Sequence, residues 1–279
     1  MVLEGNPVSY TLNCSILLTE LPLLQRAAAA RQAGFESVEF WWPFTQAVPT
    51  DQQVDEFVAS LMDAGVQLDG LNFFAGDMPD GDRGLVSWVG REAEFKDNLD
   101  VVVGIAEATG CTSFNALYGN RLPDVAPEAQ DALALNNLLA ATAAVAKVDG
   151  TVLIEPVSGM ETYPLKTAAQ ALNVVKAVQA QGQSNIALLA DFYHLAVNGD
   201  DVAAVIEEHA KDFGHIQIAD APGRGAPGTG ELPLLEWIAR SRELGYTGKV
   251  ALEYKQDAST AFDWLATAQA STYSESTPL

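Results

Sequence analysis

Short runs of β-branched and aromatic residues alternate with longer alanine- and leucine-rich stretches along most of this 279-residue chain. The longer stretches carry apolar residues at helical spacing, as in residues 21–33, 51–64 and 91–109. A strict alternation of strand and helix predicts a parallel sheet, because each helix returns the chain to the same edge. The predicted strands are residues 8–14, 37–41, 66–72, 112–117, 151–155, 186–191, 214–218 and 249–254.

Eight strand-helix units favour a closed α/β barrel, a single (β/α)8 TIM barrel. The alternative is an open, doubly wound nucleotide-binding sheet, but no G-x-G-x-x-G motif follows the first predicted strand. Glycines just before several strands predict left-handed helix ends. These glycines are Gly34, Gly65, Gly110, Gly150 and Gly245.

No composition break divides the chain, so we expect one barrel domain over residues 1–270 and a frayed polar tail over residues 271–279. Cys14 and Cys111 are too few for a disulfide framework, and we expect buried free thiols. The N-terminal residues resemble no signal peptide, and no apolar run reaches the ~18 residues of a membrane span. The expected location is the cytoplasm.

The chain is strongly acidic, with 37 Asp and Glu against 15 Lys and Arg and a net charge of −22. This charge disfavours nucleic acid and anionic membranes as partners. An excess of Asp and Glu promotes solubility, and this role alone is enough to explain the acidic composition. An anionic small substrate stays open, because a local cation can reverse the potential inside one pocket.

Carboxylates and an amide mark the ends of the last four predicted strands. Since strand ends of such a barrel point at one mouth, these side chains are expected to meet there. Carboxylates brought together repel one another unless a cation joins them, and oxygen ligands suit Mg²⁺ or Mn²⁺. A single strand-end Glu would be unremarkable, so the prediction of a shared metal or catalytic site rests on the set. The four residues are Glu155, Asp191, Gln217 and Glu253.

Histidines and long loops add candidate substrate contacts. His194 and His215 lie close in sequence to the strand-end residues, whereas His209 is expected on a solvated helix face. The Gly- and Pro-rich loop 220–232 and the segment after strand three are longer than ordinary connections, which favours functional loops. The further predicted substrate contacts are Arg224, Asn72, Arg83 and Lys255.

The sequence resembles the hydroxypyruvate isomerase family, within the xylose isomerase-like TIM barrels. The resemblance covers nearly the whole chain and is seen in YTLNC…VEFWWPF, GREAEF, LIEP, ADFYH, HIQIADAPGR, PGTGEL and ALEYK. It implies metal ligation by Glu155, Asp191, Gln217 and Glu253, with Glu155 and Glu253 also the acid/base pair. One departure is Gly225-Ala226, where the family usually carries His-Glu, and this puts the substrate in doubt.

The resemblance implies an isomerase, an intramolecular oxidoreductase of glyoxylate and carbohydrate metabolism that converts hydroxypyruvate into tartronate semialdehyde through an enediolate. A metal and two carboxylates suffice for that chemistry without an organic cofactor. Alternatives are a 2-oxo-tetronate isomerase, a ketose 3-epimerase or a non-catalytic ligand-binding barrel. A related metal-dependent endonuclease is disfavoured by the −22 charge and only three histidines. A homo-oligomer is left open.

Overall fold

Eight parallel strands close into a barrel in the computed structural model, which describes residues 10–257 and 259–265. Each strand pairs with the next, and β1 also pairs with β8. This closing pair confirms the barrel and excludes the open sheet. The strands are β1 Tyr10–Asn13, β2 Ser37–Phe40, β3 Gln67–Asn72, β4 Ser113–Asn115, β5 Thr151–Ile154, β6 Ile186–Asp191, β7 Phe213–Ile218 and β8 Val250–Leu252.

Helices surround the barrel and confirm the predicted alternation. Residues 8 and 9 of the first predicted strand, and the tail at 271–279, lie outside the described residues. The helices are α1 Leu23–Gln32, α2 Asp51–Ala64, α3 Glu92–Thr109, α4 Pro127–Val145, α5 Ala168–Gln179, α6 Phe192–Val197, α7 Val202–His209 and α8 Leu234–Glu243.

Local capping explains where several helices begin and end. The Thr50 hydroxyl accepts a hydrogen bond from the backbone N–H of Gln53, and the Gln53 side chain accepts one from the backbone N–H of Thr50. This reciprocal pair fixes the start of α2. Four of the predicted glycines adopt a positive φ: Gly34, Gly65, Gly110 and Gly245.

Gly150 corrects the prediction of a left-handed glycine before β5. The left-handed residue is its neighbour Asp149, with φ 52°. Gly150 is required for a different reason, because a Cβ there would lie 2.6 Å from Phe114 Cε2 and 2.9 Å from the Val145 carbonyl oxygen. The backbone therefore approaches its neighbours too closely for a side chain.

The core lies between strands and helices, as in the edge-on contact of Phe40 on β2 with Phe57 on α2. Cys14 and Cys111 are buried free thiols, as predicted. In the described part of the chain, no helix is long and apolar enough to cross a membrane.

Five connections of ten or more residues rise from the carboxyl ends of the strands. They follow β2 (residues 41–50), β3 (73–91), β4 (116–126), β5 (155–167) and β7 (219–233). All five contribute to the wall of one cavity at the barrel mouth. The barrel thus fixes the base of this cavity and the loops build its sides.

Candidate active site

The cavity at the carboxyl ends of the strands has a volume of about 650 Å³. Most of the residues predicted for a site meet there, while Asp191, Gln217 and His215 are buried side chains beside it. The predicted residues that line the cavity are Asn72, Arg83, Glu155, His194, Arg224, Glu253 and Lys255.

Three carboxylates and one imidazole form a compact cluster. Each offers one ligand atom, and these atoms lie within 4.8 Å of one another. Glu155 directly follows β5 and Glu253 directly follows β8, while Asp191 is the last residue of β6. Strand ends of a closed barrel converge, so residues far apart in sequence come together. The cluster consists of Glu155, Asp191, His194 and Glu253.

Hydrogen bonds orient the two glutamates. Asn115 on β4 donates to Glu155 Oε2 at 2.7 Å. Trp41 Nε1 donates to Glu253 Oε1 at 2.6 Å, and Asn13 Nδ2 donates to the same oxygen at 3.1 Å. Neither Trp41 nor the two asparagines were predicted, because their roles depend on contacts between distant strands.

Burial and mutual repulsion shift the acidity of the carboxylates. Burial raises the pKa of Glu155 well above its ordinary value, and the charges of Glu253 and Asp191 raise it further. Burial raises the pKa of Glu253 to about 7, although Arg224 opposes the shift. Burial also raises the pKa of Asp191, again against Arg224. Full ionisation of this cluster is therefore costly unless a cation neutralises it.

Two buried oxygens provide a test of whether the site fits a metal. Asp191 Oδ1 caps α6 by accepting the His194 N–H at 3.1 Å, but Asp191 Oδ2 has no hydrogen-bond partner. Gln217 Oε1 is likewise buried without a partner. The two residues are paired in register on β6 and β7. Unpartnered buried oxygens beside crowded carboxylates fit a hard divalent cation, since each would otherwise carry an unsatisfied desolvation cost.

His194 is set up as a neutral hydrogen-bond donor. Its Nδ1 accepts the backbone N–H of Ser158 at 3.1 Å, so the ring proton resides on Nε2. Nε2 lies 3.8 Å from Glu155 Oε1 and 3.6 Å from Asp191 Oδ2. Burial and the nearby Arg224 lower the pKa of His194 to about 3, so the ring is neutral at physiological pH.

Arg224 is held over the cluster by the loop after β7. Its guanidinium pairs with Glu253, lies 3.8 Å from Asp191 Oδ2 and stacks 5.4 Å from the centre of the Tyr193 ring. Asp220 organises this loop by accepting three backbone N–H groups, from Ala221, Gly228 and Leu232.

Arg83 approaches from the loop after β3. Its Nη1 donates to the backbone oxygens of Met78 at 2.9 Å and Asp82 at 2.6 Å. Burial lowers the pKa of Arg83 overall; the charge of Asp82 opposes this shift, and the charge of Arg224 adds to it. Arg83 and Arg224 line the same cavity. Lys255 is exposed at the rim, and Asn72 is buried at the end of β3.

His215 does not line the cavity but lies in a buried polar layer beside it. Its Nε2 is 2.7 Å from Glu39 Oε2. Glu39 on β2 was not predicted, although it is 3 % exposed and central to this layer. A glutamate within the apolar segment SVEF was the available signal. His209 is outside the site, partly exposed between Glu208 and Asp212.

Similarity to known proteins identifies the family of this chain. The family model "Xylose isomerase-like TIM barrel" matches residues 27–272. The chain belongs to this family. It is 47% identical to a putative hydroxypyruvate isomerase of Streptomyces coelicolor, over 92% of this chain and 95% of that protein. It is 32% identical to a 2-oxo-tetronate isomerase of Cupriavidus necator, over 92% and 96% respectively.

A solved structure of comparable length has the same fold. This structure, described as an AP endonuclease of family 2 from Brucella melitensis, matches with a TM-score of 0.83 at 29% identity. The match covers 94% of this chain and 99% of that one. The proteins that this chain resembles thus carry names of different chemistry, so function has to be argued from the site.

Gly225 and Ala226, which stand where the hydroxypyruvate isomerase family usually carries His-Glu, are packed closely within the loop after β7. Gly225 pairs its backbone with Asp220 in both directions. A Cβ at Gly225 would lie 2.3 Å from Thr229 Oγ1, and Ala226 is 3 % exposed. This loop is packed around small residues and presents Arg224 as its charged side chain to the cavity.

Proposed function

We propose that this chain is a metal-dependent isomerase that converts hydroxypyruvate into 2-hydroxy-3-oxopropanoate (tartronate semialdehyde). The observation that carries the proposal is the buried carboxylate cluster with two unpartnered oxygens, at the base of a cavity with basic side chains. The names of relatives that span nearly the whole chain support the same chemistry.

Four strand-end residues would hold the metal, for which we propose Mg²⁺ or Mn²⁺. When bound, the ion would neutralise the negative charge that develops on two adjacent substrate oxygens. Without it, the burial of these carboxylates opposes their ionisation. The proposed ligands are Glu155, Asp191, Gln217 and Glu253.

Glu155 and Glu253 are the proposed acid/base pair. In the forward direction one carboxylate removes a proton from C3 of hydroxypyruvate, which leaves an enediolate. A proton is then delivered to C2, while the hydroxyl proton passes from the C3 oxygen to the C2 oxygen, so the product is an isomer and no redox partner is consumed. The asparagine and tryptophan donors hold both carboxylates in place for this transfer.

The basic side chains of the cavity give the substrate its orientation. Arg83 and Arg224 face a common space, where a substrate carboxylate would relieve their mutual repulsion. Lys255 at the rim adds positive charge along the entry, and Asn72 is placed for a polar contact. Neutral His194 can donate to a substrate oxygen through Nε2.

A 2-oxo-tetronate is the second candidate substrate. The cavity of about 650 Å³ leaves room for a longer chain than three carbons, and a relative matched over 96% of its length carries that name. The same proton transfer would serve either acid. We also propose that the protein acts in cytoplasmic glyoxylate and carbohydrate metabolism.

Turnover of hydroxypyruvate tests the proposal. Purified protein with Mn²⁺ is supplied with hydroxypyruvate, and semialdehyde is followed with a coupled reductase, with 2-oxo-tetronate and ketoses in parallel. We expect turnover that a chelator abolishes, and a loss of about 10²–10⁴-fold in kcat in both Glu155→Gln and Glu253→Gln. No turnover above an empty-vector preparation would contradict the proposal, and a preference for 2-oxo-tetronate would reassign the substrate.

A further inference from the structure

Glu39 lies at the centre of a buried polar layer below the strand-end carboxylates. Its Oε1 accepts from Asn13 Nδ2 at 2.8 Å and from Gln217 Nε2 at 2.7 Å. Its Oε2 faces His215 Nε2 at 2.7 Å. All four residues are at most 4 % exposed, so water cannot replace these contacts.

The contact between Glu39 and Gln217 fixes the polarity of the Gln217 amide. Glu39 Oε1 already accepts a hydrogen bond from Asn13, so it is an acceptor and the amide corner of Gln217 that lies 2.7 Å from it has to be the NH₂ group. If the amide were flipped, two oxygens would face each other at that distance. The carbonyl corner, Oε1, is therefore turned away from Glu39, and it is the buried oxygen that has no partner.

His215 and Asn13 hold the Glu39 carboxyl group in place. His215 Nε2 contacts Glu39 Oε2 at 2.7 Å, and Asn13 Nδ2 donates to Glu39 Oε1 at 2.8 Å. Asn13 donates both to Glu39 and to Glu253 and so links the layer to the cluster above. The opposing position on β3 is Gly70, where a Cβ would already lie 3.2 Å from Glu39 Oε2. The Glu39 side chain is thus confined on several sides.

We propose that Glu39 is a positioning residue for the metal site: by binding the Gln217 NH₂ group, it makes Gln217 present its carbonyl oxygen as a ligand. Glu39 is not among the residues that line the cavity. The inference rests on the proposed function, since it takes the metal site for granted. Residues that hydrogen-bond to a ligand typically change metal affinity by about 10–100-fold when they are mutated.

A thermodynamic cycle on Mn²⁺ affinity tests the proposal. Chelator-treated wild type, Glu39→Gln, Gln217→Ala and the Glu39→Gln/Gln217→Ala double variant are titrated with MnCl₂ by calorimetry. Glu39→Gln allows the Gln217 amide to flip, so we expect Kd to rise about 10–100-fold. Without the Gln217 amide there is nothing to orient, so the same substitution in the Gln217→Ala background should change Kd less than about 2-fold.

Matched variants separate positioning from general damage. Glu36→Gln removes one charge from an exposed position just before β2 and should bind Mn²⁺ like wild type. If Glu39→Gln destabilises the fold, the Glu39→Gln/Gln217→Glu double variant still reports on positioning. A carboxylate at position 217 offers an oxygen in either orientation and needs no orienting partner. The Kd of this double variant for Mn²⁺ should therefore return to within about 5-fold of wild type.

Two results would overturn the proposal: Glu39→Gln binding Mn²⁺ as tightly as wild type, or the same loss with and without the Gln217 amide. Absence of Mn²⁺ binding by wild type would instead overturn the metal site itself and this proposal with it.

Discussion

Glu253 is a buried carboxyl group whose pKa is raised to about 7, mainly by burial. Folding therefore favours its protonated form over the range between its ordinary value, near 4.5, and about 7. The stability that this group contributes to the metal-free protein is fully present below that range and is lost as the pH rises through 7. Its neighbour Glu155 shifts in the same direction.

We expect the free energy of unfolding of metal-free wild type, relative to Glu253→Gln, to fall by on the order of 2 kcal/mol between pH 5 and pH 8. Denaturant unfolding at several pH values measures it. We compare the two free energies of unfolding because His194 also changes stability with pH. Its pKa is lowered to about 3, so below its ordinary value of 6.5 it makes stability rise with pH in both proteins. If the free energy of unfolding of wild type relative to Glu253→Gln stays constant or rises with pH, the raised pKa of Glu253 is contradicted.

Among individual residues, the carboxylates that follow apolar strand segments were predictable, whereas polar residues that act through cross-strand partners were not. Glu155, Asp191 and Glu253 follow apolar segments whose period gives their position in a barrel. Glu39 and Asn13 depend on cross-strand partners 178 and 240 positions away in sequence, and no local pattern contains those contacts. His215 was expected near the mouth, but Glu39 holds it in the buried layer beside the cavity.

The loop from β7 to α8 is the element on which the Arg224 position depends. Asp220, fully buried, collects three backbone N–H groups of the loop. A Cβ at Gly230 would lie 2.3 Å from the Ala221 carbonyl oxygen, so the returning segment packs directly on the first. The long Gly- and Pro-rich segment is thus an ordered structure built around one carboxylate.

We expect Asp220→Asn to loosen this loop, because an amide cannot accept all three N–H groups. The free energy of unfolding should fall by about 1–3 kcal/mol, and KM should rise more than kcat falls. Limited trypsin digestion at the Arg224-Gly225 bond reports the loosening directly. Asp124→Asn, at an exposed position, is the control. Unchanged cleavage at Arg224 in Asp220→Asn would show that Asp220 does not hold the loop.

Strand and helix positions followed closely from periodicity, and the exceptions have local causes. Eight strand-helix units provide for one helix after each strand, yet two helices, α6 and α7, follow β6, and Asp191 caps the first. The left-handed residue before β5 is Asp149 rather than Gly150. Both exceptions depend on how a side chain or backbone atom meets its neighbours in space.

The molecule as a whole combines a net charge of −22 with a cavity that gathers basic residues. Four of the 15 Lys and Arg residues line this one cavity: Arg26, Arg83, Arg224 and Lys255. That polyanions are disfavoured as partners stays a prediction from the acidic composition, and composition could not locate this group of basic residues. The closed barrel places these cations in the same cavity as Glu155 and Glu253, whose ionisation is costly without a nearby positive charge.

The central claim is that the strand-end carboxylates form a divalent-metal site, and calorimetric titration of chelator-treated protein with MnCl₂ at pH 7.5 tests it most directly. We expect saturable binding of one ion, with proton release that makes the heat depend on the buffer, because the ion displaces protons from carboxyl groups of raised pKa. Asp191→Asn should weaken binding at least about 100-fold, since its unpartnered oxygen is lost, while Asp124→Asn should bind like wild type. Absence of saturable binding, or equal affinity in Asp191→Asn and wild type, would contradict the claim.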